Sequence, residues 1–470
     1  MLLTLILNDK ENNQLSFLMH DMCSLNAERI LTKMGELYED GKLNTMPTPD
    51  LFNAVLGSWA RRSQSMPFDA PARCAAILRH MEGIADNNLN VEEGHDSTCL
   101  HVKWRDFNVD EKSYQITFGA FRSALHCRKI VESEDAFNIA TQADELLRHM
   151  NDRLKCGKDE AVPTGEIYAT VAACYGKSIE LLTAEIAQEH DVLKEAGVDF
   201  IGVEDTTDAK LTSALSRLNS LLEEMESGLG QHGINPDLSI NAYTEVLRAW
   251  TLVTLNPYAQ EEVLRVFRRV VDLYENGEQN LSPTSDMFEL VINTLLRNRT
   301  PSNACLAFEL LKEQERLHLE GNPMCKPSIQ NYRSIIAAFE DKPEVVATVL
   351  KQMTLLYESN FMDELHLRSG NTSLGFHELL ELWQNVDKTG DDAASWAESI
   401  LLRVAKDVQE SNSRHSESSK LLRTKNFNAV IKVWLDAGGA GLDRAANLLN
   451  EMDEIGNHPL LIDVKPDHLR

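Results

Sequence analysis

The sequence predicts an all-α protein, an α-solenoid of about eight helix-turn-helix repeats with long inter-helix insertions, and three recurring features predict it. First, an aromatic residue is followed seven places later by a large apolar one at Phe52/Trp59, Tyr114/Phe121, Tyr168/Tyr175, Tyr243/Trp250, Phe288/Leu295, Tyr332/Phe339, Phe376/Trp383 and Phe427/Trp434. Second, a Pro and a short polar residue stand just before most of these pairs. Third, a stripe of small, apolar and Met side chains follows most of them. A length of 470 residues would suggest about three globular domains. A repeat, however, grows by stacking units, so one elongated array is expected instead.

Each aromatic pair marks the first helix of a unit. Seven residues is close to two α-helical turns, so both members of a pair lie on one face. Of the chain's 15 Phe, 9 Tyr and 6 Trp, half sit in this pattern. The rings are therefore expected to pack helices together rather than to serve as stacking platforms. The steps Pro47-Thr48, Pro163-Thr164, Pro236-Asp237, Pro283-Thr284 and Pro327-Ser328 end what precedes them and offer a side-chain oxygen to the first N–H groups of a new helix.

The second helix of a unit carries apolar residues at i, i+3, i+4 and i+7, an amphipathic stripe. Examples are Ala27-Ile30-Leu31-Met34, Cys74-Ile77-Leu78-Met81, Ala143-Leu146-Leu147-Met150, Leu218-Leu221-Leu222-Met225, Val346-Val349-Leu350-Met353 and Ala445-Leu448-Leu449-Met452. The unit is a helical hairpin, and neither helix can bury its stripe without a neighbour. First aromatics are separated by 62, 54, 75, 45, 44, 44 and 51 residues, against about 34 for a bare two-helix repeat. The surplus is expected in loops at 87–106, 197–208, 387–391 and 411–419, with an extra helix near 179–195. Units open near 49, 111, 165, 239, 285, 329, 373 and 424. The organisation expected is a remnant at 1–21, amino-terminal repeats over 22–300 and carboxy-terminal repeats over 301–470. Both ends read as cut, with another unit starting at the final Pro466-Asp467.

The net charge of −27 and a pI near 4.9 argue against a simple polyanion binder, because phosphate affinity normally comes from clustered Lys and Arg. The acidic pairs Glu92-Glu93, Glu223-Glu224, Glu261-Glu262, Asp363-Glu364 and Asp391-Asp392 are expected in loops or on the outer helices, leaving the inner face neutral or basic. No stretch approaches a membrane span, and the amino terminus matches neither a secretory signal nor a transit peptide. Eight scattered Cys without C-x-x-C read as reduced thiols, with Cys74, Cys174 and Cys305 on apolar helix faces. His95, Cys99 and His101 lack the second ligand pair of a structural zinc site, and no Gly-rich phosphate loop, G-x-S-x-G or H-E-x-x-H occurs. No metal, cofactor or enzymatic activity is expected.

The openings Phe52-Asn53-Ala54-Val55-Leu56 and Phe427-Asn428-Ala429-Val430-Ile431, the Leu-Leu-x-x-Met second helices and the closing Pro466-Asp467 resemble the pentatricopeptide repeat family over roughly residues 20–470. The resemblance implies a right-handed solenoid, without an appended nuclease domain, that binds single-stranded RNA along a concave groove. It also implies a role in RNA processing, stability or translation in a mitochondrion or plastid; with no transit peptide visible, the expectation is either a cytoplasmic protein or a true start upstream of Met1. In that family a base is read by the residue after the first aromatic and the last residue of the unit. Carried over, the first positions are Asn53, Gln115, Ala169, Thr244, Glu289, Arg333, His377 and Asn428. The closing positions are Asp110, Thr164, Thr284, Ser328, Thr372 and Asp467. Asn53 with Asp110 and Asn428 with Asp467 match a combination associated with uridine, whereas Ala169, Glu289, Arg333 and His377 depart from the pattern. Eight places after the reading positions, where the family tends to put phosphate-facing bases, stand Arg61, Lys177 and Arg297, with Ser123, Leu252, Asp341, Asn385 and Asp436 at the rest. RNA is therefore expected along the amino-terminal five units. The same groove could instead grip another protein, as in tetratricopeptide-like scaffolds.

Overall fold

The structure, a computed structural model, describes residues 16–91, 107–157, 161–195, 206–227, 238–339 apart from 255, 257 and 299, and 424–456, with scattered positions between 342 and 406. The described residues are helical, with short turns and no strand. The chain forms two compact units, Met1–Pro283 and Thr284–Arg470.

In the first unit the helices that carry ring pairs are α2 (Pro49–Ala60), α4 (Glu111–Ala124), α6 (Gly165–Glu195) and α8 (Ile240–Leu252). They alternate with the stripe helices α1 (Ser16–Glu39), α3 (Asp69–Val91), α5 (Ser133–Lys155), α7 (Thr206–Ser227) and α9 (Ala259–Glu275). Each ring helix packs on the next, α2 on α4, α4 on α6 and α6 on α8, while α3, α5 and α7 each touch the ring helix before and after them. In the second unit α10 (Ser285–Arg297), α11 (Pro301–Leu319) and α12 (Ile329–Ala338) pack together, and α13 (Thr424–Ala437) packs on α14 (Ala440–Gly456).

The helix starts follow local chemistry. Asp110 accepts from the Ser113 N–H ahead of α4, Thr284 from Met287 ahead of α10, and Ser328 from Asn331 ahead of α12. Each satisfies one of the N–H groups that an α-helix leaves without an internal partner. Thr48 stands extended before Pro49, whose missing N–H costs nothing in the first turn. Pro236-Asp237 lies outside the described residues, and α8 is capped two places later by Ser239. After α5, Gly157 takes a φ of +68°, a left-handed conformation that stops the helix at little steric cost.

All the described ring pairs are buried, from Phe52 and Trp59 to Phe427 and Trp434. A ring that hides about 150–250 Å² gains roughly 4–6 kcal/mol from apolar burial before entropy is counted, which is why they form the core.

Three expectations need correction. Residues 179–195 are not a separate helix but the continuation of α6, because no Pro interrupts it and Ile179 and Leu182 keep the buried stripe going. The segments 87–91 and 206–208 are helical ends of α3 and α7, not loop; 92–106, 197–205, 387–391 and 411–419 lie outside the described residues. Cys74 and Cys174 are buried, and burial pushes each thiol up to about 12. Cys305, by contrast, is exposed. Its neighbours Ala304 and Ala307 face inward, and one residue along a helix turns a side chain by about 100°.

Candidate nucleic-acid interface

Asn53 follows Phe52 on α2, and Asp110 caps α4, 57 residues later. The packing of α2 on α4 brings them together. Asn53 Nδ2 donates to both Asp110 carboxylate oxygens at 3.2 Å, while Ser113 Oγ lies 2.7 Å from Asn53 Oδ1 and 2.5 Å from Asp110 Oδ1. The single Ser113 hydroxyl hydrogen can serve only one of these acceptors at a time. Burial pushes the Asp110 carboxyl up, but the hydrogen bonds from the Ser113 hydroxyl, the Asn53 amide and the Ser113 N–H outweigh it and hold the pKa below the usual carboxylate value. Asn53 is only 4% exposed. A base edge could reach it only by replacing one of these internal bonds.

The same juxtaposition recurs in the second unit. Glu289 follows Phe288 on α10, Ser328 caps α12, and Ser328 Oγ donates to Glu289 Oε2 at 3.2 Å. The acid and the capping group have exchanged places relative to Asn53 and Asp110.

Gln115 and Thr164 are not bonded to each other but line one cleft of about 710 Å³ between the amino-terminal turns of α4, α6 and α8. Gln115 is exposed and donates to Glu111 at 2.6 Å. Across the cleft Glu166 accepts from Ser239 Oγ and Asn241 Nδ2, each at 2.8 Å, and pairs with Arg122 at 3.4 Å. Burial raises the Glu166 pKa, yet these donors and the Arg122 charge bring it below the ordinary value. Ser239, Asn241 and Glu166 were not among the sequence candidates. The available signal was a Ser four residues before the first aromatic, the spacing at which Asp110, Thr164, Thr284 and Ser328 stand before theirs.

The remaining candidates are dispersed. Thr244 Oγ1 donates back to the Ile240 carbonyl at 2.9 Å, Thr284 is spent as the cap of α10, and Ala169 is 1% exposed with no polar edge to offer. Asn428 and Arg333 are half-buried. Thr372, His377 and Asp467, and with Asp467 the pair it would form with Asn428, lie outside the described residues. Arg61 is exposed at the end of α2 and Arg297 at the end of α10, but Lys177 is held by Glu180 at 2.9 Å and Arg248 sits 3.6 Å from Glu245. His95, Cys99 and His101 also fall outside the described residues. Among those that are described, no group of His, Cys, Asp and Glu is placed to hold a metal ion, and no helix is long and apolar enough to cross a membrane.

Neither the family models nor the curated proteins compared with the chain give a match. The residues themselves therefore carry the functional argument. What they assemble is a set of polar contacts between the start of one ring helix and the start of the next, with most nearby cations already paired to acids.

Proposed function

We propose that the chain is a right-handed α-solenoid of pentatricopeptide type that binds single-stranded RNA along the surface shared by the starts of its ring helices. Its role would be non-catalytic, in organellar RNA processing, stability or translation, with no cofactor. The observation that supports this reading most is the direct contact of Asn53 with Asp110, two residues 57 positions apart that the repeat register pairs for base reading. The Glu289–Ser328 contact repeats it in the other unit. Filter binding of the full chain to single-stranded RNA over a salt series tests the proposal. Binding is expected at low salt, with log K falling by about 0.7 per log unit of salt for each phosphate contact. Absence of binding at low salt overturns it.

A second reading, a protein-interaction scaffold, is favoured by one feature: Glu111 and Glu166 outnumber Arg122 in the cleft. It predicts capture of a basic peptide and indifference to RNA in the same assay.

A further inference from the structure

Each Tyr and Trp of the described ring pairs makes a hydrogen bond through its polar tip, and each partner occupies one of two positions on the stripe helix preceding it in the chain. In sequence the same spacing falls at Ala307-Leu310-Leu311-Gln314 in α11 and at Ala397-Ile400-Leu401-Val404 ahead of α13, and the second ring meets the residue just after the first stripe position. Trp59 Nε1 donates to Glu28 at 3.0 Å, Tyr175 Oη to Asp144 at 3.2 Å, Trp250 Nε1 to Asn219 at 3.2 Å and Trp434 Nε1 to Glu398 at 2.8 Å. The first ring meets the residue just after the last stripe position. Tyr114 donates to Glu82 at 2.7 Å, Tyr243 to Glu226 at 2.8 Å and Tyr332 to Glu315 at 2.7 Å, while Tyr168 accepts from Asn151 at 3.3 Å. The crossed order, first ring to last stripe position, is that of two antiparallel helices matched at two points seven residues apart.

Rings without a polar tip face the complementary choice. By the same register Phe52 corresponds to Gly35, Phe121 to Ala75 and Phe427 to Ala405. Phe339 corresponds to Phe308, and these two rings meet edge to face with centroids 6.0 Å apart. The pair Phe376/Trp383 lies outside the described residues.

The energetics make both mismatches unfavourable. Glu82, Asp144, Glu315 and Glu398 are all buried; His149 and Arg153 also hold Glu82, Arg217 and Arg148 hold Asp144, and Arg444 lies 3.7 Å from Glu398, so the desolvation cost of losing the ring donor falls most heavily on Glu315. A Tyr or Trp seated on Ala or Leu loses its water and gains no acceptor. Burial and the adjoining Glu226 push the Tyr243 hydroxyl well above its ordinary pKa, so it stays a donor.

We propose that these two positions are a docking code: an acid or amide there accepts a Tyr- or Trp-bearing helix, and a Gly or apolar residue accepts a Phe-bearing one. Wrong pairings are penalised in both directions, which is how specificity between similar surfaces is obtained. The code sets the mixed pairs of α2 and α4 apart from each other and from the all-polar pairs of α6 and α8, whose stripe helices α5 and α7 are polar at both positions. It acts whether or not RNA is bound.

Interconversion in the full chain tests it, using the midpoint of thermal unfolding and a double-mutant cycle. At a polar lock, Tyr332→Phe and Glu315→Leu are each expected to lower the midpoint by about 2–8 °C, and the double variant to return close to the starting value. At an apolar lock, Phe121→Tyr and Ala75→Asp copy the Tyr175 and Asp144 arrangement; each alone should destabilise, and together they should recover at least half of the loss. The second cycle distinguishes a code from an ordinary hydrogen bond, since it creates a lock where none exists. Additive losses in the second cycle overturn the proposal, whatever the first shows. If the Phe121 variants fail to fold even in combination, Phe339→Tyr with Phe308→Asp repeats the conversion at another apolar lock, and additive losses there overturn the proposal.

Discussion

Asp110 and Glu315 are carboxyls whose surroundings push them in opposite directions. At Asp110 burial is outweighed by donors from Ser113 and Asn53, so the folded-state pKa is lowered. Its stabilising contribution is present above the ordinary carboxylate pKa and is lost as pH falls through the lowered folded value. At Glu315 burial dominates over the hydrogen bond from Tyr332, and the pKa is raised. Here the unfolded chain releases its proton first, so the contribution is fully present below the ordinary pKa and is lost as pH rises through the raised one. Urea unfolding across the acidic range should separate them. Asp110→Asn is expected to lose stability relative to the starting protein at neutral pH, by about 1 kcal/mol for a weakened cap and amide contact, with the difference shrinking in acid. Glu315→Gln, which keeps an acceptor for Tyr332, is expected to be the more stable protein at neutral pH, and that gain should vanish in acid. A Glu315→Gln protein no more stable than its parent at neutral pH would contradict the burial argument.

At the scale of elements, the close approach of α13 and α14 rests on a glycine. A Cβ at Gly441 would lie 2.3 Å from the Trp434 carbonyl oxygen, a backbone atom that cannot swing aside. Gly to Ala inside a helix ordinarily stabilises by about 1 kcal/mol. Gly441→Ala is expected to do the reverse and cost about 1–3 kcal/mol by overpacking, and a rise in unfolding midpoint would refute this. Elements were legible in the sequence wherever a breaker and a cap coincide, as at Pro283-Thr284 and Pro327-Ser328, because backbone chemistry there is local. The length of α6 was not legible from the repeat, since the pattern of paired rings stops at Tyr175 while nothing in the next twenty residues ends a helix. The inward face of α11 was misjudged at Cys305 because small residues at 304, 305 and 307 allow more than one register for the stripe. The docking positions escaped notice for another reason: an acid beside an apolar stripe looks solvated until the ring of the next helix is seen over it.

The whole chain carries −27, and the structure shows where some of that charge goes. Glu28, Glu82, Asp144, Glu226, Glu315 and Glu398 are enclosed or half-enclosed under rings, so a share of the acidity is structural and does not face a ligand. The pairing of Asn53 with Asp110 was expected from the family resemblance, which pairs the residue after a first aromatic with the last residue of the unit, and the packing of α2 on α4 brings the two together. The state of Arg122 was not readable, because Glu166 stands 44 residues away and meets it only after folding, whereas Lys177 and Glu180 form a local i,i+3 pair within α6. Under the proposed function this sets a limit on RNA affinity and suggests how to raise it. If phosphates lie along Arg61 and Lys177, then Arg61→Ala should reduce the salt dependence by about 0.7 in slope. Lys177→Ala should reduce it less, since its ammonium is already compensated by Glu180 at 2.9 Å. Removing the competitor should act in the opposite sense: Glu180→Gln frees Lys177, and Glu166→Gln frees Arg122 while keeping an acceptor for Ser239 and Asn241. Each is expected to tighten binding at low salt and steepen the slope by up to about 0.7. Should RNA bind while all four variants leave affinity and slope unchanged, the phosphates run elsewhere, and the register-derived path along Arg61 and Lys177 is wrong even though the ring-helix starts still pair Asn53 with Asp110.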